Sequence, residues 1–392
     1  MIDAERIKAL SVLGYNFWLH LFRSLLPREK KDQAELFLSY FRDDRIANFT
    51  PEEYREIDRF EACVVCGLCP GHCRVMEEAP GRFFGPMHLA ACASRSQPEF
   101  IADRDSLLLC AACGQCEPVC PEAVPVARVA TAMRDMIWRV AAELLPPAYH
   151  TAAENLAAHG NIFGPASVPA GSATGAALVL GPRLRRMPDS AANLVELLRR
   201  LGLPATPVAE GSIGGEARSL GLLPDTAWVD ALAASSAATI FVADPEAWLC
   251  LAADPRLKQK TVQPALLAAI EKWPAGAKLP PGPVAVHDGA AFGRRSPVAA
   301  RVREFLAAAG ATVVEMDRPG ESAPPVGWEG GIELVDPELA GRLAARRLAD
   351  ARRAGARILL ALSADDYALL SGQKVDGVEV VFIFDLLGRA AF

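Results

Sequence analysis

Residues 63–73 read CVVCGLCPGHC and residues 110–120 read CAACGQCEPVC, so the spacing C-x2-C-x2-C-x3-C is written twice. In each run three thiols two residues apart can wrap one face of a cubane iron–sulfur cluster from a tight loop. The fourth thiol, three residues further on, points away from that face. Cys120 is followed by Pro121, as in the bacterial ferredoxin run, whereas Cys73 is followed by Arg74, a departure from that motif that removes no ligand.

In two-cluster ferredoxins the fourth cysteine of each run ligates the cluster of the other run. On that rule Cys63, Cys66, Cys69 and Cys120 hold one [4Fe-4S] cluster, and Cys110, Cys113, Cys116 and Cys73 hold the second. Zinc ribbons keep their C-x2-C pairs well apart, and four cysteines at this density would crowd a tetrahedral site. Disulfides need an oxidising compartment, and the first residues, MIDAERIKAL, carry neither a basic segment followed by an apolar one nor a cleavage site. Gly67 and Gly114 are small enough for backbone N–H groups to approach cluster sulfides.

The chain has 392 residues, 51% of them apolar, enough for two or three cores, so one cluster-binding module cannot account for it. A net charge of −6 argues against a nucleic-acid surface, which needs clustered Lys and Arg. No uncharged apolar run reaches the 18 or so residues of a membrane span, so a soluble, cytoplasmic chain is expected. The run LSVLGYNFWLHLFRSLL, residues 10–26, sets Leu13, Phe17, Leu21 and Leu25 on one helical stripe with Trp18 and Phe22 beside it. Such a stripe packs on a core or a partner subunit, or lies at a membrane surface; the second choice would place the chain at the cytoplasmic face.

The expected organisation is α+β and multidomain. A helical segment spans 1–44, a helical ferredoxin-like dicluster domain 45–159 and a Gly/Pro/Ser-rich linker 160–175, followed by two tandem α/β lobes at 176–277 and 284–392. Within these, helices are expected at 34–41 and 127–145, and Thr50-Pro51-Glu52-Glu53 reads as a capping box leading into Cys63. The lobes read as an internal duplication, each with a strand, a helix ending at Gly202 or Gly310, a Gly- or Pro-rich turn (211–215 and 322–327) and a further strand (239–242 and 357–362). Cys92 and Cys250 are expected as small core residues, and neither His72 nor His88 is needed as a ligand. Asp288, Asp365 and Asp366 read as solvated turn positions. His287 with Asp288 reads as a turn-fixing pair rather than an acid–base pair.

FEACVVCGLCPGHC, CAACGQCEPVCPEAVP and the following GNIFG resemble the dicluster domain shared by the heterodisulfide reductase D and anaerobic glycerol-3-phosphate dehydrogenase C proteins. The same stretches resemble the lactate and glycolate oxidase iron–sulfur subunits. In that family two cysteine-rich repeats follow; here the framework is similar but the cysteines are gone. His287–Arg294, HDGAAFGR, resembles H-D-P-C-Y-L-G-R with Ala290 in the cysteine's place, and Pro182 stands at the matching position of the first repeat. GSIGG and SAPPVG replace the Cys-Cys-Gly turns, while Asp244–Ala247 and Ser363–Asp366 replace the C-P-x-C runs. The resemblance implies that the lobes have lost their own cluster and serve as a scaffold or docking surface.

The function this predicts is an electron-relay subunit of a multi-subunit oxidoreductase. Single electrons would pass through two [4Fe-4S] clusters between a flavoprotein dehydrogenase and a second acceptor, quinone-linked in one version. The competing readings are a catalytic subunit with a substrate or quinone site in the lobes, and a scaffold or assembly protein with structural clusters. No catalytic residue is assigned.

Overall fold

The structure is a computed structural model that describes residues 4–25, 33–40, 50–95, 101–172, 175–279 and 282–390. The chain forms two units, Met1–Ile46 and Ala47–Phe392. The first contains α1 (Ala4–Ser24) and α2 (Gln33–Tyr40). On α1 the apolar side chains of Leu10, Leu13, Phe17, Trp18 and Phe22 are exposed, with Trp18 ringed by Phe17 and Phe22 at 5.9 and 6.3 Å. Leu26 of the apolar run and Phe41, the expected end of α2, lie outside the described residues.

The second unit opens with α3 (Pro51–Phe60), which starts where the sequence says it should. Thr50 Oγ1 accepts from the Glu53 backbone N–H and the Glu53 carboxylate accepts from the Thr50 N–H at 2.7 Å, satisfying two donors that a helix N-terminus leaves open. Then come α4 (Arg74–Glu78), α5 (Pro86–Arg95), α6 (Arg104–Leu107), α7 (Val126–Ala141) and α8 (Pro147–His159). The helix expected to run to 145 stops at Ala141. Residues 142–144 tighten into a 3-10 turn ahead of Pro146-Pro147, because the residue before a proline is driven out of the α region. Phe60, Leu89, Leu107, Leu108, Val129, Met133, Ile137 and Tyr149 form the core beneath the cysteine loops.

Two parallel sheets follow. β1 (Ala176–Val179), β2 (Ala205–Pro207), β3 (Thr239–Val242) and β4 (Thr261–Pro264) lie in the order β2-β1-β3-β4. In the second sheet β5 (Pro283–His287), β6 (Thr312–Val313), β7 (Ile358–Ala361) and β8 (Glu379–Phe382) repeat that order as β6-β5-β7-β8. The central strands β1, β3, β5 and β7 are nearly continuous hydrophobic runs buried along most of their length, as parallel strands covered on both faces must be. α9 (Pro188–Arg200) and α10 (Val298–Ala308) are the equivalent crossover helices, closed by Gly202 and Gly310 in the left-handed conformation. Leu194, Leu197 and Leu198 of the first lobe share one buried cluster with Val302, Phe305 and Leu306 of the second.

Residues 160–172 have no regular secondary structure, but they are not a free spacer. Asn161 Nδ2 donates to Pro182 O at 2.9 Å, Ser167 and Val168 donate backbone N–H groups to Arg185 O, and the Arg183 guanidinium lies 3.9 Å over the Phe163 ring. The polar groups of this linker bond to the first lobe.

α11 (Ala364–Ser371) begins at Ser363, whose Oγ accepts from the Asp366 N–H at 3.0 Å and donates to the Asp366 carboxylate at 2.7 Å. Ser363→Ala is expected to cost about 1–2 kcal/mol, the loss of one helix cap. Chemical denaturation of the intact protein checks this, and a change below about 0.3 kcal/mol would refute the capping role.

Candidate iron–sulfur site and the lobe junction

The two cysteine loops share one backbone design. Val65 and Gly67 in the first, and Ala112 and Gly114 at the matching positions of the second, all have positive φ (56°, 79°, 47° and 74°). Left-handed conformation is ordinary for glycine and costly for a β-branched residue such as Val65. Strain of this kind persists only where the surroundings impose it. The turns point backbone N–H groups inward, and Ala112 N–H and Val124 N–H reach Cys110 Sγ and Cys120 Sγ, each at 3.4 Å.

The folded chain brings the thiols together in two sets. Burial raises the Cys69 thiol, and Cys63, Cys120 and Cys66 are the neighbouring groups that push it further. Burial likewise raises Cys116, with Cys113, Cys110 and Cys73 as the neighbours acting on it. Cys113 is pushed up to about 11 by burial, against the pull of the Arg294 cation. Cys120 thus lies near the thiols of the first run, and Cys73 near those of the second. The second set lines a small, largely apolar cavity walled by Val75, Phe83, Pro86, Val126 and Pro325. Sulfur-only donors in fours, in apolar walls and met by backbone N–H groups, suit a thiolate-ligated iron–sulfur centre. The iron charge would supply the deprotonation that burial opposes.

The second loop is seated on the lobes. Arg294 donates to Cys113 O and Gln115 Nε2 donates to Ser322 O at 2.9 Å. Gly330, at φ 67°, approaches so closely that a Cβ would lie 2.3 Å from Cys110 O. From the other side Arg134 on α7, fully buried, donates to the carbonyls of Leu107 (3.0 Å), Leu108 (3.2 Å), Cys110 (2.6 Å) and Ser219.

The positions at which the resemblance misses its cysteines converge between the two sheets. They lie at the carboxyl ends of β1, β3, β5 and β7, where strand order reverses and α/β proteins form their crevices. Asp244, Glu246, Asp288, Ala290, Ser363, Asp365 and Asp366 line one small cavity there, with Phe292 and Trp328. The acids expected in solvent are buried instead: Asp288 is 1%, Asp365 4% and Asp366 2% exposed. The reason is partners from distant sequence. Arg183 of the first lobe binds Asp365 (2.9 Å) and Glu333, Arg303 clasps Asp288 (3.0 Å), and Trp328 Nε1 donates to Asp366 (2.8 Å). His287 and Asp288 do not form a pair. Asp288 accepts from Arg303 and the Gly320 N–H, while His287 faces Asp366 and Arg347.

His287, Glu329 and Asp366 also sit within reach of a single metal ion. The tautomer opposes that use: Arg347 Nε donates to His287 Nδ1 at 3.3 Å, so the ring proton lies on Nε2, the nitrogen facing the carboxylates. Glu216 and Glu329 have no cationic partner within ion-pair distance among the described residues, and burial, with Asp365 and Asp366 respectively adding to it, pushes both carboxyls up to about 8.

A carboxyl held protonated by the fold but ionised in the unfolded chain above about 4.5 lowers stability as pH rises, by up to about 1.4 kcal/mol per unit, until the folded group also ionises near 8. Unfolding free energy is therefore expected to fall between pH 5 and 8, and Glu216→Gln to flatten the slope by about one proton. Anaerobic denaturation across that range checks this, and an unchanged slope in the variant would contradict it.

Three contributors escape sequence reasoning: Arg134, Glu216 and Glu329. Nothing local distinguishes an arginine buried among carbonyls from one on a solvated helix face. For the two glutamates the available signal is the glycines of GSIGGE and GWEGG, since Gly214 and Gly330 stand where a Cβ would meet neighbouring atoms.

Residues 59–124 match the 4Fe-4S dicluster domain family, which makes this region an iron–sulfur domain. No curated protein matches the chain. Among solved structures the chain resembles a hypothetical protein from Helicobacter pylori, with TM-score 0.52 and 11% identity over 91% of this chain and 76% of that one. At that identity the likeness concerns the fold. No helix among the described residues is long and apolar enough to cross a membrane.

Proposed function

We propose that the chain is the electron-relay subunit of an oxidoreductase complex, in the manner of the heterodisulfide reductase D and glycerol-3-phosphate dehydrogenase C proteins. Eight of its ten cysteines would bind two [4Fe-4S] clusters. The observation that carries this is that Cys73 lines one cavity with Cys110, Cys113 and Cys116, while Cys120 acts on Cys69 together with Cys63 and Cys66. Bound clusters would supply one-electron transfer. The protein's part is to exclude water with the apolar wall around Cys110 and Cys116, to direct N–H groups at sulfur, and to fix the second loop through Arg134, Arg294 and Gly330. The donor would be a flavoprotein dehydrogenase. The exposed aromatic face of α1 would contact a membrane surface or the acceptor subunit.

Anaerobic purification with iron and sulfide counts and EPR of the dithionite-reduced protein tests the reading. About eight iron atoms and two interacting S = 1/2 signals support it. Four iron atoms or fewer would exclude a two-cluster relay, and clearly more than eight would return a cluster to the lobes. Deleting residues 1–27 should abolish membrane or partner co-fractionation; unchanged association would remove the role given to α1.

A second reading, a substrate or quinone site in the lobes, is favoured by the convergence of buried acids at the strand ends. It is opposed by the size of the cavity, which has room for about one water molecule. Quenching of Trp328 fluorescence by a quinone analogue, lost in Trp328→Phe, would favour it over the relay alone.

A further inference from the structure

His88 and Cys92 stand four residues apart on one face of α5, and Asp103 meets them from the segment that leads into α6. We propose that these three side chains form a divalent-metal site, for zinc by the chemistry of the donors, separate from both cysteine sets.

The argument is geometric. His88 Nε2 lies 2.8 Å from Asp103 Oδ2 and 3.3 Å from Cys92 Sγ, and Cys92 Sγ lies 3.7 Å from Asp103 Oδ2. A tetrahedral zinc with Zn–N and Zn–O near 2.0 Å and Zn–S near 2.3 Å sets its ligand atoms about 3.3 Å (N to O) and about 3.5 Å (N to S, S to O) apart. All three observed separations fall within about half an ångström of these values, so an ion enters by a small outward movement of the side chains. One imidazole nitrogen, one thiol and one carboxylate are a zinc ligand set. His-x3-Cys on a helix gives the same one-face presentation as the paired histidines of helical zinc sites.

His88 differs from His287, whose Nδ1 must accept from Arg347: both cluster contacts of His88 fall on Nε2 and no described contact requires its Nδ1 to accept, so the ring proton can sit on Nδ1 once an ion replaces the proton shared with Asp103. The His88 ring plane is set by an edge-on contact with Phe84 at 5.1 Å. Cys92 is buried, while His88 and Asp103 are about one-third exposed, which leaves a way in and a fourth position for water. Two protons now occupy the place of the ion: that of the thiol and the one between His88 and Asp103. The site would pin α5 to the chain leading into Cys110, since Asp103 O also accepts the first N–H groups of α6, from Ser106 and Leu107.

The test uses the full-length, cluster-loaded protein, given one equivalent of zinc and desalted. One zinc per chain is expected, with the X-ray absorption edge showing a single sulfur neighbour at about 2.3 Å. Cys92→Ala and Asp103→Asn should each lower retained zinc at least tenfold with iron unchanged. Asp103→Asn keeps the size and hydrogen bonding of the partly exposed side chain, so at least one variant should fold. The proposal is overturned if the wild type retains no zinc, if zinc survives both substitutions, or if the edge reports three or four sulfurs, which would mean that zinc sits in a vacated cluster site.

Discussion

Replacing Cys63 and Cys120 together is expected to leave about four iron atoms of eight, whereas replacing Cys63 and Cys73 together leaves almost none. The two double variants remove the same number of thiols and differ only in partner, so the comparison isolates connectivity. Cys120 stands 57 residues from Cys63 (120 − 63) and Cys73 only 10 (73 − 63), so a sequence-local reading predicts the reverse. In the folded chain Cys120 acts on Cys69 and Cys73 acts on Cys116. Iron and acid-labile sulfide on anaerobically purified variants decide it, with circular dichroism showing whether the helices persist. Equal iron in the two variants would mean that the exchange does not occur.

The cysteines were legible because iron–sulfur ligation is written in short spacings and in the small residues between them. The parallel lobes were legible for a related reason, since alternation of apolar strands with helices closed by Gly202 and Gly310 is a local signal. Asp365 and Asp366 were not. Whether an acid is solvated depends on what arrives to meet it, and Arg183 comes from another lobe and Trp328 from another loop. Cys92 illustrates the same limit in miniature. As a residue type it belongs in a core, and it is buried, but its meaning comes from His88 one turn away and Asp103 beyond the end of its helix. The linker composition of residues 160–172 says nothing of what they touch, because it equally suits backbone that turns tightly while its polar groups bind a neighbour.

Arg134→Met should destabilise the protein by about 3–5 kcal/mol and lower the iron content of the second thiol set first. The guanidinium is fully buried with no carboxylate in ion-pair contact among the described residues; its charge is held by four carbonyl oxygens, those of Leu107, Leu108, Cys110 and Ser219. Methionine matches the stem but donates nothing. Leu107 O keeps the Cys110 N–H at 3.1 Å, but the carbonyls of Leu108, Cys110 and Ser219 lose their donor at about 1–3 kcal/mol each, offset in part where water or backbone relaxation reaches them. There is a functional term as well: burial raises the Cys110 thiol and the Arg134 cation opposes that rise, so removing it disfavours the thiolate that iron needs. Arg134→Lys separates the two terms. An ammonium restores the positive charge but cannot span four carbonyls, so it should recover iron content more fully than stability. Anaerobic guanidinium denaturation gives the first quantity and iron counting the second. If the methionine variant retains eight iron atoms and unfolds within about 1 kcal/mol of the parent, the carbonyl cage around Arg134 does not hold the second loop in place.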